Sequence, residues 1–318
     1  MEIIINKYKK VADFCYELFK IAELPLHFSK FSNKIYSNFQ KLFLLVYKQF
    51  RKCTYEELLT DIADNISLRE YLGLTKIPYY TTISRLEKKL SGEILERLML
   101  AFRTLIPEPK RVAIDSTGIS LDNASSHYCK RIGKPYKKRP FLKTTFFVDI
   151  DNYIILLHKS RRNNRHDTID AKILFRKFEK NFNPETVYAD RGYDDEEIFK
   201  FIDETLKAEP LILQRRIDIQ NHRRKGHYRR KHFKTFDYCE YLQRNKIETL
   251  NSMFKKRFGS SAKSRGAKRQ KLEVFFRVIA FNIDRLIRLG YEVILTFIRI
   301  IRIAYQPFDS TLNSLHGV

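Results

Sequence analysis

The stretch Tyr241-Leu242-Gln243-Arg244-Asn245-Lys246-Ile247-Glu248-Thr249-Leu250-Asn251-Ser252-Met253-Phe254-Lys255 decides how the rest of the chain is read. On a helix turning about 100° per residue, Arg244, Glu248 and Lys255 fall at roughly 300°, 340° and 320° from Tyr241. All four polar residues share one narrow stripe. Leu242, Ile247, Leu250 and Phe254 lie mostly elsewhere and can pack inward. An Arg and a Glu at i, i+4 make an ordinary surface pair worth a few tenths of a kcal/mol. That reading leaves the tyrosine and the second cation on the same stripe unexplained.

Two more acids stand upstream at the ends of apolar runs. Val112-Ala113-Ile114 reads as a strand ending near Asp115, and Thr186–Ala189 as a short strand ending at Asp190. Gly192 permits a tight exit after the second. A carboxylate among apolar strand residues is costly unless a cation or hydrogen-bond donors meet it. Either aspartate alone is explained as a strand-end or capping residue; two on separate short strands weaken that explanation. Three carboxylates from separate elements suit a two-metal site, since magnesium takes one or two carboxylates and fills its shell with water or phosphate oxygens. Two such ions assist phosphodiester displacement. Arg244 and Lys255 then hold phosphates beside them, and Tyr241 offers its ring to a sugar or base.

Around these acids the pattern alternates. Thr144–Ile150 and Tyr153–His158 are expected to form a hairpin turned at Asp151-Asn152. Helices are expected over Ile169–Phe182, Asp194–Leu206 and Leu242–Phe258, with a strand at Pro210–Leu213 and a basic loop before the last helix. This order predicts an α/β fold, a mixed sheet with helices on both faces. No internal repeat is visible. The first 108 residues read as helical, with apolar residues such as Leu42, Leu45, Val46 and Phe50 at helical spacing. Thr54 and Glu57 fit a capping box, a short helix is expected to end at Gly73, and Thr81 or Thr82 is expected to cap a helix carrying Arg85 and Lys89 on its outer face. Residues 54–91 thus fit a helix-turn-helix that presents cations to DNA, or a plain helical bundle. Pro107 and Pro109 mark a boundary between an N-terminal domain, 1–108, and a second domain, 109–305, followed by a tail, 306–318.

Composition agrees. The chain has 318 residues, 61 Lys+Arg against 37 Asp+Glu, and a net charge of +24. With 43% hydrophobic residues it is too apolar for a disordered polycation, so the charge points to a polyanionic partner. Residues 111–318 carry 43 of the basic and 24 of the acidic side chains. Runs at Lys130–Arg139, Lys159–Arg165, His222–Lys234 and Lys255–Lys271 read as walls of a DNA channel. In the third, Arg223, Arg224, Arg229, Arg230 and Lys231 alternate with aromatic rings, which suits phosphate contact and stacking. Leu272–Tyr305 is apolar enough to mimic a membrane span. Glu273, Arg277, Asp284, Arg288, Glu292, Arg299 and Arg302 interrupt it, so it is expected to form one or two amphipathic helices broken near Gly290, with no membrane partner. The four cysteines form no CxxC pair, and the start carries no signal-peptide pattern; a cytoplasmic, nucleoid-associated protein is expected.

The pattern Y-(2)-R-(3)-E-(6)-K, met by Tyr241, Arg244, Glu248 and Lys255, resembles the signature of the prokaryotic insertion-sequence transposases of the DDE type, in the large branch numbered four and five. The motifs Ile114-Asp115-Ser116-Thr117 and Asp190-Arg191-Gly192-Tyr193-Asp194 resemble the two upstream motifs of that family, in the same order. The resemblance spans about residues 50 to 290. It implies a ribonuclease-H-like catalytic domain with Asp115, Asp190 and Glu248 as catalytic metal ligands. The implied cofactor is a pair of Mg²⁺ ions, with Mn²⁺ as substitute. The implied substrates are double-stranded DNA at terminal inverted repeats and target DNA, handled by a homo-oligomer, most simply a dimer, on paired ends. Asn164-Arg165-His166-Asp167 resembles another motif of the family; His166 or Asp167 then orients a water or contacts DNA, while an N-cap role for Asp167 is the alternative. Only a short interval separates Asp190 from Glu248, so the β-rich insertion of many relatives is expected to be absent. The chain has no Trp, the residue with which some hairpin-forming relatives hold a flipped base. A stand-alone ribonuclease-H-like nuclease or resolvase, or a non-catalytic DNA-binding relic, would carry the same three acids.

Overall fold

The structure is a computed structural model; it describes residues 7–31, 33–121, 131, 133, 141–162 and 165–291. Most of the expected basic run 130–139, Asn164, the segment beyond residue 291 and the tail lie outside these residues. Six helices come first: α1 (Lys7–Ile21), α2 (Asn38–Arg51), α3 (Tyr55–Asp64), α4 (Ile66–Tyr71), α5 (Tyr80–Lys89) and α6 (Gly92–Leu100). Their starts follow local chemistry. Ser37 with Gln40, and Thr54 with Glu57, close complete capping boxes. The helix expected to start on Thr81 or Thr82 begins at Tyr80 instead, without a side-chain cap.

A mixed sheet follows, made of β1 (Arg111–Leu121), β2 (Phe141–Asp149), β3 (Ile154–Arg161), β4 (Thr186–Ala189) and β5 (Glu209–Ile212) in the order β3-β2-β1-β4-β5. β1–β2 and β2–β3 are antiparallel; β1–β4 and β4–β5 are parallel. A two-residue strand, β6 (Ser261–Ala262), pairs with the far end of β1. Between the strands lie α7 (Asp167–Phe178) and α8 (Glu196–Lys200); after β5 come α9 (His227–Lys234), α10 (Tyr238–Tyr241), α11 (Asn245–Phe258) and α12 (Ala267–Arg288). Helices on both faces of this mixed sheet give the expected α/β, ribonuclease-H-like class. Between α8 and α11 there is no further β structure beyond β5, as the short interval implies.

Neighbouring residues of β2 show how the sheet is sandwiched. Successive side chains of a strand point to opposite faces. Phe146 meets Phe254 of α11 at 5.3 Å between ring centroids. Phe147 stacks on Phe178 of α7 at 4.2 Å. Both faces are therefore dry, and β2 is buried along nearly its whole length.

α12 departs from the amphipathic helix expected of its sequence. Its charged stripe is not turned to solvent: Glu273, Arg277 and Asp284 are all buried. Each is satisfied by a partner. Arg277 pairs with Glu273 and donates to the carbonyls of Gly259 and Ser261. Asp284 accepts from Lys7 of α1 at 2.5 Å and from Arg288 at 2.8 Å. The helix therefore runs between the N-terminal helices and the sheet, and one hydrophobic core is continuous through both. Phe50 of α2, for example, lies edge-on to Phe258 of α11 at 5.5 Å. The segment expected as a linker is tied down as well: Glu108 accepts from the Asn183 amide, and the Lys110 carbonyl accepts from the Glu185 and Thr186 amides. No helix among the described residues is long and apolar enough to cross a membrane.

Asn282, fully buried on α12, bonds both backbone groups of Ile155: Ile155 N–H donates to Oδ1 at 3.0 Å, and Nδ2 donates to Ile155 O at 2.8 Å. It supplies the missing neighbour of the edge strand β3. Asn282→Leu leaves two buried backbone groups unpaired, each costing about 1–3 kcal/mol. A loss of about 2–4 kcal/mol is expected in urea unfolding, with the m-value unchanged.

Candidate active site

The parallel pairing of β1 with β4 sets Ile114 opposite Ala189. The next residue on each strand is an aspartate, so Asp115 and Asp190 emerge side by side. β1 does not end near Asp115 as expected but runs on to Leu121, paired with β2, whereas β4 stops at Ala189; Asp115 therefore stands within its strand at the level where its parallel neighbour leaves the sheet. Asp190 leaves β4 into a short 3-10 turn and accepts from the Gly192 amide at 2.8 Å. A Cβ on Gly192 would stand 2.9 Å from that carboxylate oxygen, so a larger residue there would displace the Asp190 carboxylate from this position. Asp115 accepts from Asn251 Nδ2 of α11 at 3.0 Å.

The carboxyl of Asp115 is pushed up to about 6, first by burial and then by the negative charges of Asp190 and Glu248; the Ser116 backbone and Arg244 act in the opposite direction. Glu248, on α11, is exposed and paired with Arg244 at 2.7 Å. Arg244 in turn lies with its guanidinium 5.8 Å from the Tyr241 ring centre. Tyr241, Arg244 and Glu248 of the expected stripe are in contact, although α10, a 3-10 turn at Leu242–Arg244 and α11 share the segment rather than one unbroken helix. Tyr241 differs from expectation. It is 7% exposed and packs on Phe236 and Tyr238, so its ring supports Arg244 and is not offered to a base. Lys255 lies half-buried on α11 without an ion pair among the described residues.

Asp167 does not cap α7. It is the first helical residue, and its carboxylate pairs with Lys143 of β2 at 2.7 Å. The point where a Gly192 Cβ would stand is 3.6 Å from Asp167 Oδ2, so Asp167 belongs to the same acidic group as Asp190. His166 is exposed beside it. Beneath, the Tyr193 hydroxyl is buried, bonds Ser116 Oγ, and is held far above its usual range by burial and by Asp115, Asp167 and Asp190. Asn251, Lys143 and Tyr193 escaped the sequence reading. Asn251 lies three residues after Glu248 on one helix, and Lys143 is an isolated cation in an apolar strand; both signals were present.

The basic run 222–234 is not a loop. It contains α9, and many of its cations serve the fold. Arg224 is buried, lies 3.4 Å over the Phe233 ring and donates to the carbonyls of Ile217 and Ile219. Arg229 pairs with Asp194 at 2.6 Å and Lys231 with Asp203 at 2.8 Å. Arg223 and Arg230 remain exposed, as do Arg85 and Lys89 on α5.

Among the described residues, no three His, Cys, Asp or Glu side chains are grouped closely enough to hold one ion together. The donor chemistry nevertheless suits a hard cation. Two oxygen donors stand side by side without thiol or imidazole, and one of them carries a carboxyl whose ionisation is opposed by burial and by its acidic neighbours.

A mixed sheet that sets two aspartates side by side on neighbouring parallel strands, with an Arg–Glu pair at the start of the helix beside them, is the arrangement of the ribonuclease-H-like class. Residues 106–283 match the model of the transposase DDE domain, and the chain belongs to that family. Among solved structures, a synaptic complex of piggyBac transposase with hairpin DNA is similar over 95% of this chain and 82% of that one, at 9% identity and a TM-score of 0.42. No curated protein matches.

For Asp115, the folded-state value near 6 lies above the ordinary aspartate value of 3.8. The folded protein thus binds more protons than the unfolded chain between those values. Stability from this group falls as pH rises from about 4 through about 6, then stays level. Asp115→Asn is expected to raise the melting temperature at neutral pH, by the equivalent of roughly 1–3 kcal/mol, and to match wild type near pH 4. Equal melting curves at both pH values would contradict the burial argument.

Proposed function

We propose that this chain is a DNA transposase that cuts at the ends of a mobile DNA element and joins them to target DNA by metal-dependent phosphodiester hydrolysis and transesterification. The observation that carries this reading is the juxtaposition of Asp115, within β1, with Asp190, just past the end of the parallel neighbour β4, near the Arg244–Glu248 pair. Asp115 and Asp190 would hold divalent metal, with Glu248 as third donor. Mg²⁺ ions bound there, or Mn²⁺ in their place, supply charge neutralisation at the phosphate and lower the pKa of an attacking water or 3′-hydroxyl.

The chain's own residues do the rest. Asn251 fixes the orientation of the Asp115 carboxylate. Arg244, braced by Tyr241, presents a planar fork of donors that suits a phosphate. Lys255, further along the same helix, adds a second cation. Exposed Arg223 and Arg230 contact flanking phosphates and position the duplex without choosing its sequence. Arg229, Lys231 and Arg224 support that surface from within. Asp167, held by Lys143, borders the acidic pair and orients groups at its edge. The helices of residues 1–108, with Arg85 and Lys89 outward, bind the element's terminal inverted repeats, and two copies hold paired ends. Residues 109–305 form the catalytic domain.

The test uses purified protein, a labelled element end, Mg²⁺ and a target plasmid. Joined products are expected. Cleavage without joining would favour a stand-alone nuclease, and binding without cleavage a relic. Glu248→Gln is expected to lower cleavage by at least about 100-fold, beyond what loss of an outer-shell partner costs, while DNA affinity changes little. Retained cleavage would remove Glu248 from the metal site.

A further inference from the structure

The N-terminal helices carry a cleft that the helix-turn-helix reading does not foresee. It lies between the 27–36 segment, the first turns of α2 and the outer face of α5, with a volume of about 370 Å³. His27, Tyr36, Lys41, Thr82, Arg85 and Lys89 are among the residues lining it, and no carboxylate does. Its walls are fixed by hydrogen bonds. Asn38 Nδ2 donates to Pro25 O at 2.8 Å, and Gln40 Nε2 donates to Leu72 O and Gly73 O at 2.9 and 3.0 Å. The 25–38 segment is thereby bound to α2, and α2 to the end of α4.

Three cations, Lys41, Arg85 and Lys89, reach this cleft from two helices, and Lys34 of the loop segment lines it as well. Lys41 is half-buried, and burial together with the charge of Lys89 holds its ammonium below the usual lysine range. Neither Lys41, Arg85 nor Lys89 has an ion-pair partner among the described residues. Elsewhere among the N-terminal helices charges are answered: Arg51 of α2 pairs with Asp61 of α3, and Glu96 of α6 with Lys177 of α7. Like charges held together in a rigid, acid-free cleft repel one another, and an oxyanion relieves that repulsion. Tyr79 and Tyr80 stand exposed at the start of α5, adding hydroxyl and ring contacts near the cleft mouth.

We infer that the cleft formed by Lys41, Arg85 and Lys89 is a backbone-phosphate site for duplex DNA, so that the 27–36 segment and α2, and not α5 alone, form the N-terminal DNA surface. This rests on the DNA reading above. Phosphate contacts of this kind set register on the duplex and leave base choice to other side chains.

The experiment measures binding of the full chain to a labelled duplex by fluorescence anisotropy over a range of salt. Lys41→Met and Lys89→Met are each expected to weaken binding roughly 5- to 10-fold and to make the salt dependence shallower by about one phosphate contact. Lys41→Arg is expected to retain affinity, and Lys180→Met, in the exposed turn after α7, to match wild type. Thermal melts of each variant report folding. Should Lys41→Met fail to fold, the exposed Lys89 decides the matter. Wild-type binding that survives both substitutions with an unchanged salt slope overturns the site while leaving the DNA reading intact. Absence of duplex binding by the wild-type chain overturns the DNA reading, and this site with it.

Discussion

The register of two parallel strands governs the candidate site. With Ile114 opposite Ala189, Asp115 and Asp190 have no choice but to stand together. Two like charges beside each other in a partly dry position are unfavourable; burial first, and then the charges of Asp190 and Glu248, push the Asp115 carboxyl up. The surrounding structure keeps this arrangement in place. The sheet is locked by Phe146 on one face and Phe147 on the other, α11 brings Asn251 to Asp115, and Gly192 lets the chain turn without displacing Asp190.

The excess positive charge is distributed by partner, not only by sequence. Some cations of residues 222–234 are consumed internally: Arg224 by backbone carbonyls, Arg229 by Asp194, Lys231 by Asp203. Others remain outward. A guanidinium that donates to several fixed carbonyls is a structural tie, and one with no acceptor nearby is available to a ligand. The same distinction separates Arg51, paired with Asp61, from Arg85 and Lys89, which face the N-terminal cleft.

α12 shows why charge in an apolar segment had to be interpreted through contacts. Its charges exclude a lipid-facing helix, and they also suggest a wet face. Over residues 272–284 that wet face is absent, and of the stripe's described residues only Arg288, in the last turn, is exposed. Glu273, Arg277 and Asp284 are buried because α1, α2 and the 259–264 segment close over them and supply donors and acceptors. Removing either member of such a pair leaves the other uncompensated, so the charges bind the N-terminal helices to the sheet.

Much was legible from local pattern. Alternation and turn residues located the hairpin of β2 and β3, the Thr54–Glu57 capping box located α3, and spacing along residues 241–255 put Arg244 and Glu248 within one ion pair. These are determined within a few residues of chain, where dihedral preference and periodicity operate. Tyr241, Arg224, Asp167 and Lys143 were not decided that way. Whether a ring is exposed, a guanidinium is spent on carbonyls, or a carboxylate meets a lysine on a distant strand depends on which elements pack together. The sequence by itself determined most of the elements, the three acids and the family they resemble, but not the helix within 222–234 or the extension of β1 past Asp115. Only the tertiary structure decided which polar groups face one another, because desolvation and pairing energies act between residues far apart in the chain.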